Sequence, residues 1–430
     1  VIDALSFFGL EIKDCALAST PAMFMTTKML GCDGAVQITA SHHPWDRNGL
    51  KFFTPDGGLS GDEIKSILEY AEEHESGSCP ERLNLQEVDF MSVYCEHLCN
   101  MIRKGVKSDD YERPLKGLKI VVDAGNGVGG FYAEKVLSPL GADTTGSRYL
   151  EPDGMFPNHI PNPENETAMN SVREATLGAK ADLGVIFDTD VDRGGCVSSD
   201  GREINRNALV ALAAVIALES NPGGTVVTDS VTSAGLTEFI EKTLGGHHLR
   251  FKRGYKNVID EAIRLEKNGI NTPLAIETSG HAAFRENYYL DDGAYLITKI
   301  IIKAADMKKQ GKKLYDLISE LKYPAEEKEI RLKITEEDFR AVGDRLLEEL
   351  ADFAAKREDW QIAPDSHEGI KIIFPKTESF FILRQSVHDP VIPINFESAQ
   401  NGGVKKAANS LYEFIKDFDG VDISPLKQIL

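Results

Sequence analysis

Short apolar strands that end in loops of small and polar residues recur along the first part of the chain. Strands predicted at 34–39, 118–122 and 225–228 run into Ala-Ser-His-His-Pro, Asp-Ala-Gly-Asn-Gly and Asp-Ser-Val-Thr-Ser. Each loop is followed by a stretch with a helical pattern. Because strands alternating with helices are typical of βαβ units, the first three quarters of the chain are predicted to repeat one α/β plan.

The last quarter of the chain has a different pattern. It contains an acidic helix predicted near 335–357, several short strands around 370–396 and a helix from about 403 to 417, which together predict an α+β domain. Polar and turn-rich stretches separate four predicted segments: 1–110, 111–203, 204–322 and 323–430.

The charge balance limits the partners of the protein. There are 68 acidic and 48 basic residues among 430, which gives a net charge of −20. Nucleic acid and anionic membranes would be repelled by this charge. The longest apolar run, 208–218, has eleven residues, whereas a membrane span needs about 20. We therefore expect a soluble protein with neither nucleic acid nor membrane as partner.

The cysteines are too few for a disulfide scaffold, and none forms a C-x-x-C pair. A reducing compartment is the expectation, and the cytoplasm is the predicted location. An organelle stays open because the first residue is valine rather than methionine, so a targeting segment could be missing. The six cysteines are Cys15, Cys32, Cys79, Cys95, Cys99 and Cys196.

Three carboxylates follow the apolar strand predicted at 183–187. In an extended chain, side chains at a spacing of two project to the same side, so these can converge as hard oxygen ligands for Mg²⁺. Arg193 comes next, which suits an anionic partner. An EF-hand is excluded, because Arg193 stands where its loop needs a glycine and Ser199 stands where its loop needs the final glutamate ligand. A solvated acidic turn and an aspartate nucleophile like that of haloacid dehalogenases stay open. The carboxylates belong to Asp188, Asp190 and Asp192.

Ser41 lies just past a predicted strand end, where α/β proteins bind ligands. A hydroxyl needs a nearby base or metal to become a nucleophile. Ser41 is therefore a candidate phosphate carrier, with Lys51 behind it in the sequence, and a purely structural turn is the alternative. Taken alone, His42 and His43 are typical of surface histidines.

A glycine-rich segment formally matches the dinucleotide-binding pattern through Gly125, Gly127 and Gly130, with Asp143 near the position of a ribose-binding acid. The charge of Asp123 at the strand end would oppose a bound pyrophosphate. We therefore favour a tight strand–helix turn that glycine permits.

A carboxylate, a hydroxyl and an imidazole follow the apolar stretch 273–276. Glu277 and Ser279 suit pairs of sugar hydroxyls, and His281 could transfer a proton near neutral pH. An ordinary turn is the alternative interpretation.

Two basic loops complete the candidate groups. Residues 252–256 place three cations around a glycine turn, or form a solvated basic loop. Arg384 and Ser386 follow the strand predicted at 380–383. Arginine can hold a phosphate through two hydrogen bonds while a hydroxyl and backbone amides complete the cradle. The combination of five such loops indicates a phosphosugar site.

In this order, the loops resemble the motifs of the α-D-phosphohexomutase family, which includes phosphoglucomutases, phosphomannomutases and phosphoglucosamine mutases. Residues 39–44 resemble the phosphoserine loop T-A-S-H-N-P, and 188–193 resemble the metal loop D-G-D-x-D-R. Residues 277–281 resemble the sugar loop E-x-S-G-H, and 384–390 the phosphate loop R-x-S-x-T-E-P. The resemblance covers nearly the whole chain.

This resemblance implies three similar α/β sandwich domains with mixed sheets, plus a C-terminal α+β domain, around a central cleft. It also implies an intramolecular phosphotransferase that interconverts hexose 1-phosphate and hexose 6-phosphate, of glucose and/or mannose, through a phosphoserine and a bisphosphosugar. The alternatives are a phosphoglucosamine mutase, or a phosphosugar-binding paralogue with weak or no turnover. The implied state is a monomer or dimer, with a small phosphosugar as the only partner.

The resemblance also implies residue roles. The implied catalytic residues are Ser41, Lys51, Arg193 and His281. The implied cofactors are Mg²⁺ and, as activator or intermediate, a bisphosphorylated hexose. The implied ligands of Mg²⁺ are Ser41, as phosphoserine, Asp188, Asp190 and Asp192. The implied sugar-binding residues are Glu277, Ser279, Gly254 and Tyr255. The implied phosphate-binding residues are Arg384, Ser386, Val387, His388, Lys256 and Arg253.

The sequence departs from the family pattern at several positions. His43 replaces an asparagine, Thr189 replaces a glycine, and residues 387–389 replace Gly-Thr-Glu. The change at 387–389 predicts weaker phosphate binding. The family's opening strand, with its Arg-Gly loop, has no counterpart before Val1, so we expect the first domain to be truncated here.

Overall fold

The computed structural model describes residues 1–74, 84–364, 366–386 and 389–430. Cys79, Val387 and His388 lie outside the described residues. The chain divides into two compact units, of which the first comprises Val1–Gly224 and Ala262–Ser319 and the second Thr225–Glu261 and Glu320–Leu430. The four segment boundaries inferred from the sequence stay a prediction.

The elements of the described residues are numbered in chain order. The α-helices are α1 Ile2–Phe7, α2 Thr20–Met29, α3 Gly61–Glu73, α4 Phe90–Val106, α5 Glu166–Ala179, α6 Asn207–Glu219, α7 Ala234–Glu238, α8 Tyr255–Lys267, α9 Gly293–Lys309, α10 Phe339–Ala355, α11 Gly403–Ile415 and α12 Ser424–Lys427. Short π-helical turns span Tyr132–Leu137 and Phe239–Thr243, and 3₁₀ turns span Arg285–Asn287, Leu314–Ile318 and Pro375–Thr377.

The strands are β1 Ile12–Asp14, β2 Ala35–Ile38, β3 Leu50–Thr54, β4 Gly57–Gly58, β5 Leu85–Glu87, β6 Ile120–Asp123, β7 Leu183–Phe187, β8 Gly194–Ser198, β9 Glu203–Ile204, β10 Thr225–Asp229, β11 His247–Phe251, β12 Leu274–Ile276, β13 Ala282–Phe284, β14 Leu290–Asp291, β15 Glu326–Ile334, β16 Gln361–Ile362, β17 Ile370–Phe374, β18 Ser379–Leu383, β19 Val391–Ser398 and β20 Val421–Asp422.

A mixed sheet with the order β6-β7-β8-β9 forms a layered core in the first unit. Strand β6 runs parallel to β7, and the other pairs are antiparallel. Every residue of β7 and β8 is buried. Helix α5 packs on one face, where Ile186 lies in its core cluster. On the other face, the ring centroids of Phe187 and Tyr132 are 5.2 Å apart. The Tyr132 hydroxyl forms a hydrogen bond of 2.7 Å with Thr298 Oγ1 of α9.

The first unit contains three further groups of paired strands. They are the parallel pair β1-β5, the antiparallel sheet β2-β3-β4 and the antiparallel strands β12-β13-β14. The helix predicted directly after the Ser41 loop is wrong, because β3 follows and pairs with β2. Phe52, Phe53 and Thr54 explain the difference, since aromatic and β-branched residues favour strands. Lys51 therefore lies on a strand.

The second unit contains the antiparallel sheet β16-β17-β18-β19-β15-β20 and the parallel pair β10-β11. Helices α10 and α11 pack against the antiparallel sheet. Leu346 and Leu350 of α10 and Leu411 of α11 are fully buried in one core cluster with Phe381 and Phe396. This is the α+β architecture predicted for the last quarter of the chain.

The glycine-rich segment after β6 is a tight turn, as predicted. A Cβ atom on Gly127 would lie 2.6 Å from the carbonyl oxygen of Thr189, so only glycine allows the turn to pack on the aspartate loop. Asp123 is fully buried, and it accepts hydrogen bonds from Ser171 Oγ at 2.6 Å and from His159 Nε2 at 2.9 Å. Asp123 therefore anchors the turn internally.

Gly293→Ala is expected to destabilise the protein by ~1–3 kcal/mol, because overpacking forces backbone shifts. The new Cβ would lie 2.5 to 2.9 Å from backbone atoms of Arg193. Gly178→Ala in α5 is the matched control, because its Cβ would meet nothing within 4 Å. The control should gain about 0.5–1 kcal/mol, the usual advantage of alanine over glycine in a helix. Urea unfolding compares the two, and equal stability of both variants would contradict this packing argument.

Candidate active site

The three aspartates lie in a six-residue hairpin loop between β7 and β8. Phe187 pairs with Gly194 across the antiparallel strands, so the chain reverses between them. The reversal needs a left-handed residue, and Val191 supplies it at φ 67° although it is β-branched. One carboxylate oxygen from each aspartate lies within 4.8 Å of the others. The predicted convergence is present, but a turn produces it rather than an extended chain.

Each aspartate of this loop keeps one buried oxygen without a hydrogen-bond partner among the described residues. The three atoms are Asp188 Oδ2, Asp190 Oδ1 and Asp192 Oδ1. Buried polar atoms are nearly always satisfied, so three neighbouring exceptions indicate a missing ligand. Carboxylate oxygens are the ligands that Mg²⁺ prefers, and the donor set fits that ion.

Lys51 supplies a positive charge beside these carboxylates. Its Nζ lies 2.8 Å from Asp190 Oδ2 and 2.6 Å from Asp192 Oδ2. Burial alone would lower the pKa of Lys51, but the charges of Asp192 and Asp190 raise the pKa well above its usual range. The side chain is therefore an ammonium that neutralises part of the acidic cluster.

Thr20 is a member of the site that the sequence did not reveal. Its hydroxyl donates to Asp190 Oδ2 at 2.6 Å, and its backbone N–H donates to the Asp190 carbonyl oxygen at 2.9 Å. Thr20 begins α2, which Ser19 caps, and a helix N-terminus favours a carboxylate. The Ser-Thr-Pro sequence at 19–21 is a helix-start pattern, but it does not show that the helix meets the aspartates.

Ser41 occupies a constrained turn. Its φ is 51°, in the left-handed region, and its backbone N–H donates to Thr39 Oγ1 at 2.9 Å. The Thr39 N–H donates to the carbonyl oxygen of Gly49 at 3.0 Å, and a Cβ on Gly49 would collide with the Thr39 carbonyl oxygen. Gly49, which follows the serine in the sequence, therefore supports the turn.

His42 joins Ser41 to the aspartate loop. Its Nδ1 lies 3.1 Å from the Arg193 guanidinium and 3.2 Å from Ser41 Oγ. Because arginine only donates, Nδ1 carries a lone pair and the Ser41 hydroxyl donates to it. Burial, and next the charge of Arg193, lower the pKa of His42 to about 4. His42 is thus neutral and half-buried, and it contacts Ser41 and Arg193, whereas His43 is exposed.

Arg193 connects the aspartate loop to two further groups. Its Nε lies 3.6 Å from Asp188 Oδ2, and a second guanidinium nitrogen lies 3.8 Å from Glu164 Oε2. Its backbone forms an isolated antiparallel β-bridge with the backbone of His281, in the predicted sugar loop. The sequence did not indicate Glu164.

The predicted sugar loop, which this β-bridge joins to Arg193, is buried. Ser279 Oγ donates to Glu277 Oε2 at 3.2 Å. His281 Nδ1 lies 2.6 Å from Asp291 Oδ2 and 3.9 Å from Asp192 Oδ1. Burial would lower the pKa of His281, but the charges of Asp291 and Asp192 raise it. The structure therefore brings Ser41, the aspartates and this loop together in the first unit, and adds Asp291.

The second unit holds a separate group around Arg384. One of its guanidinium nitrogens lies 3.9 Å from Glu368 Oε1, and another donates to Asn395 Oδ1 at 3.4 Å. Glu368, which the sequence did not indicate, accepts from Ser230 Oγ at 2.6 Å and from the Arg253 backbone N–H at 3.1 Å. Burial lowers the pKa of Arg384, the charge of Glu368 raises it, and the charge of Arg253 lowers it, with a net lowering.

The remaining predicted binding residues also lie in the second unit. Ser386 Oγ accepts from the Asp389 backbone N–H at 3.2 Å, and Lys256 Nζ lies 2.8 Å from Asp260 Oδ1. Gly254 has φ 115° and precedes α8, which begins at Tyr255. The predicted phosphate-binding residues at 387 and 388 are outside the described residues.

Comparisons with known proteins agree with the motifs. Three family models, described as Phosphoglucomutase/phosphomannomutase, alpha/beta/alpha domain I, domain II and domain III, match residues 1–77, 92–201 and 205–323. A phosphoglucomutase/phosphomannomutase of Thermococcus kodakarensis is 32% identical over 401 residues, which is 93% of this chain and 82% of that protein. The chain belongs to the phosphoglucomutase/phosphomannomutase family.

Other relatives of the family extend the similarity. A phosphoglucomutase of Neisseria gonorrhoeae is 29% identical over 405 residues, covering 93% of this chain and 81% of that protein. The crystal structure of a phosphoglucomutase/phosphomannomutase family protein from Burkholderia thailandensis has a TM-score of 0.77 at 25% identity, covering 95% of this chain and 83% of that chain. The predicted family and α/β architecture are confirmed, and the chain is an enzyme of the phosphotransferase type.

Among the described residues, no helix is both long enough and apolar enough to cross a membrane.

Proposed function

We propose that this chain interconverts the 1-phosphates and 6-phosphates of glucose and/or mannose through a phosphoserine at Ser41. The observation that carries the proposal is the set of three buried carboxylate oxygens near Lys51 that have no hydrogen-bond partner within the described part of the chain. Arg193 and His42 link this cluster to the Ser41 hydroxyl. Relatives named phosphoglucomutase and phosphomannomutase support the same reaction.

The first unit would hold the reacting groups. Ser41 would carry the phosphoryl group, and His42 would orient its hydroxyl through Nδ1. Phosphoryl transfer depends mainly on positioning and on neutralising charge, which Lys51 and Arg193 would provide. The three aspartates and Ser41 would hold Mg²⁺, which when bound supplies a Lewis-acidic charge to the transferring phosphoryl oxygens.

The sugar would be held by Glu277 and Ser279 through its hydroxyl groups. His281 would move a proton at the sugar oxygen that gains or loses the phosphoryl group, with Lys51 as the second candidate for proton transfer. The phosphoryl group would pass from Ser41 to the sugar, which gives a bisphosphosugar. The other phosphate of that intermediate would then return to Ser41, which completes the isomerisation.

The second unit would contribute binding groups. Arg384 and Arg253 lie close enough for the charge of Arg253 to lower the pKa of Arg384, although Glu368 partly offsets it, and two neighbouring guanidinium groups suit an anionic ligand such as phosphate. We therefore propose phosphate binding by Arg384, Arg253, Ser386 and Lys256. Sugar binding by Gly254 and Tyr255, and phosphate binding by Val387 and His388, rest on the family motif alone.

Product formation tests the proposed function. The purified chain is supplied separately with glucose 1-phosphate, mannose 1-phosphate and glucosamine 1-phosphate, each with Mg²⁺ and a trace of the matching 1,6-bisphosphate. We expect the 6-phosphate of glucose and/or mannose, and chelation of Mg²⁺ should reduce its formation to the enzyme-free background. Product from glucosamine 1-phosphate alone would favour the phosphoglucosamine mutase alternative. Binding of all three without turnover would favour the binding paralogue.

A further inference from the structure

Asp291 lies directly behind the imidazole of His281. Its Oδ2 is 2.6 Å from His281 Nδ1, and its Oδ1 accepts the backbone N–H of Ala282 at 3.2 Å. Asp291 is on β14, which pairs antiparallel with β13 so that Asp291 stands opposite Ala283. The carboxylate is thus fixed by two strands, and its orientation does not depend on the imidazole.

This geometry determines which nitrogen of His281 carries hydrogen. Burial raises the pKa of Asp291, while the charge of His281 and its hydrogen bond lower it. As the carboxylate of this pair, Asp291 only accepts hydrogen bonds, so the ring nitrogen that faces it bears the proton. In the neutral ring, Nε2 is then the nitrogen with the lone pair. Asp192 cannot replace Asp291 in this role, because its Oδ1 is 3.9 Å from Nδ1, beyond hydrogen-bonding distance.

We propose that Asp291 is a positioning residue of the mutase, which acts by holding His281 in the Nδ1–H tautomer with its ring fixed. The inference rests on the proposed function of His281 in proton transfer. If the ring can rotate or exchange tautomers, Nε2 carries a hydrogen or points away from the sugar for part of the time. The rate of the chemical step is then lower. Substrate affinity should change little, because Asp291 itself is not placed against the sugar.

Asp291→Asn is the central variant. The amide keeps the shape of the side chain, but its NH₂ group can donate to Nδ1 and so stabilise the opposite tautomer. We expect kcat to fall by about 100-fold or more, in line with the usual contribution of proton transfer by a positioned group, with KM within about threefold. An unchanged kcat would overturn the proposal.

The neighbouring Asp292→Asn is the matched control. Asp292 is also buried, but it accepts from the Tyr94 hydroxyl at 2.7 Å and from the Tyr295 backbone N–H at 2.8 Å. This variant should lose thermal stability while its folded fraction keeps a kcat near that of the unaltered protein. An equal loss of kcat in both variants would show a general structural effect and would overturn the proposed role.

Two further measurements separate positioning from folding. Adding Asp291→Asn to His281→Asn should cost no additional activity, because residues that act through one another are not additive. A full additional loss would overturn the proposal. The ¹⁵N NMR shifts of the His281 ring report the tautomer without any turnover: Nδ1–H in the unaltered protein, and a mixture in Asp291→Asn. The same tautomer in both proteins would also overturn the proposal. If the predicted NMR shifts are seen but the unaltered protein has no mutase activity, the proposed function alone is refuted.

Discussion

Ser41→Ala is expected to abolish mutase activity and covalent phosphorylation together. Alanine lacks the oxygen that would carry the phosphoryl group, so turnover should fall by about 1000-fold or more, as for other lost nucleophiles. Both residues have a Cβ atom, so the left-handed conformation at φ 51° costs the same before and after the change. Activity is measured with glucose 1-phosphate, and the phosphoryl group is detected by intact mass after incubation with glucose 1,6-bisphosphate.

Ser60→Ala is the control for loss of a serine hydroxyl in the same part of the chain. Ser60 caps α3, where its Oγ accepts the Glu63 backbone N–H at 3.3 Å. This variant should lose about 1 kcal/mol of stability, as is usual for a helix cap, and keep its activity and its phosphoryl group. Phosphorylation that persists in Ser41→Ala would place the carrier at another residue.

The loop residues could be predicted from the sequence because their chemistry is local. Asp188, Asp190 and Asp192 follow one apolar strand, and Ser41 follows another. Strand ends of α/β domains are the places where side chains can converge on a ligand. The residue types and their spacing therefore indicated the metal loop without any knowledge of the fold around it.

The supporting residues could not be predicted, because each is far in sequence from the group it contacts. Thr20 is 170 positions from Asp190, its hydrogen-bond partner. Glu368 is 138 positions from Ser230, which donates to it. A single acid or threonine at the end of an element has no local pattern that distinguishes it from a solvated one. Only the pairing of strands and the packing of helices brings such residues to the site.

The local sequence also did not predict the backbone conformation of the aspartate loop. The spacing of the aspartates predicts an extended segment, but the loop turns at Val191, whose φ of 67° is unusual for a β-branched residue. Gly293 at the start of α9 holds this turn, since its N–H donates to the Val191 carbonyl oxygen at 3.2 Å. Tertiary contacts thus impose a conformation that local preferences oppose.

Lys51→Met should produce the largest loss of stability among these variants. The change removes the counterion of Asp190 and Asp192, whose side chains are only 4% and 2% exposed. A third buried carboxylate, that of Asp188, lies beside them. Breaking a buried ion pair from one side usually costs about 3–5 kcal/mol. Turnover should also fall, because Lys51 is the cation proposed to neutralise charge on the transferring phosphoryl group. Urea unfolding in the absence of Mg²⁺ measures the stability.

The pH dependence of this loss follows from the direction of the shifts. Burial alone would raise the pKa of Asp192, but the charge of Lys51, followed by those of His281 and Arg193, lowers it. The contribution of the Lys51–Asp192 pair to stability is therefore present above the unfolded carboxylate pKa of about 4 and is lost as the pH falls through the lower folded value. The pKa of Lys51 is raised, so its contribution is complete below the unfolded lysine pKa of about 10 and is lost only at still higher pH. The difference between Lys51→Met and the unaltered protein should therefore be largest between these limits. It should shrink in acid.

Lys303→Met is the matched control for this prediction. Lys303 Nζ also contacts two carboxylate oxygens, both of Glu219, at 2.7 and 3.0 Å. The Glu219 side chain is 60% exposed, so water can solvate it after the change, and the expected loss is below about 1 kcal/mol. The two variants differ mainly in the burial of the acids left behind. Equal losses at pH 7 would therefore show that the acidic cluster does not need Lys51 as its counterion, and the charge balance assigned to the site would be wrong.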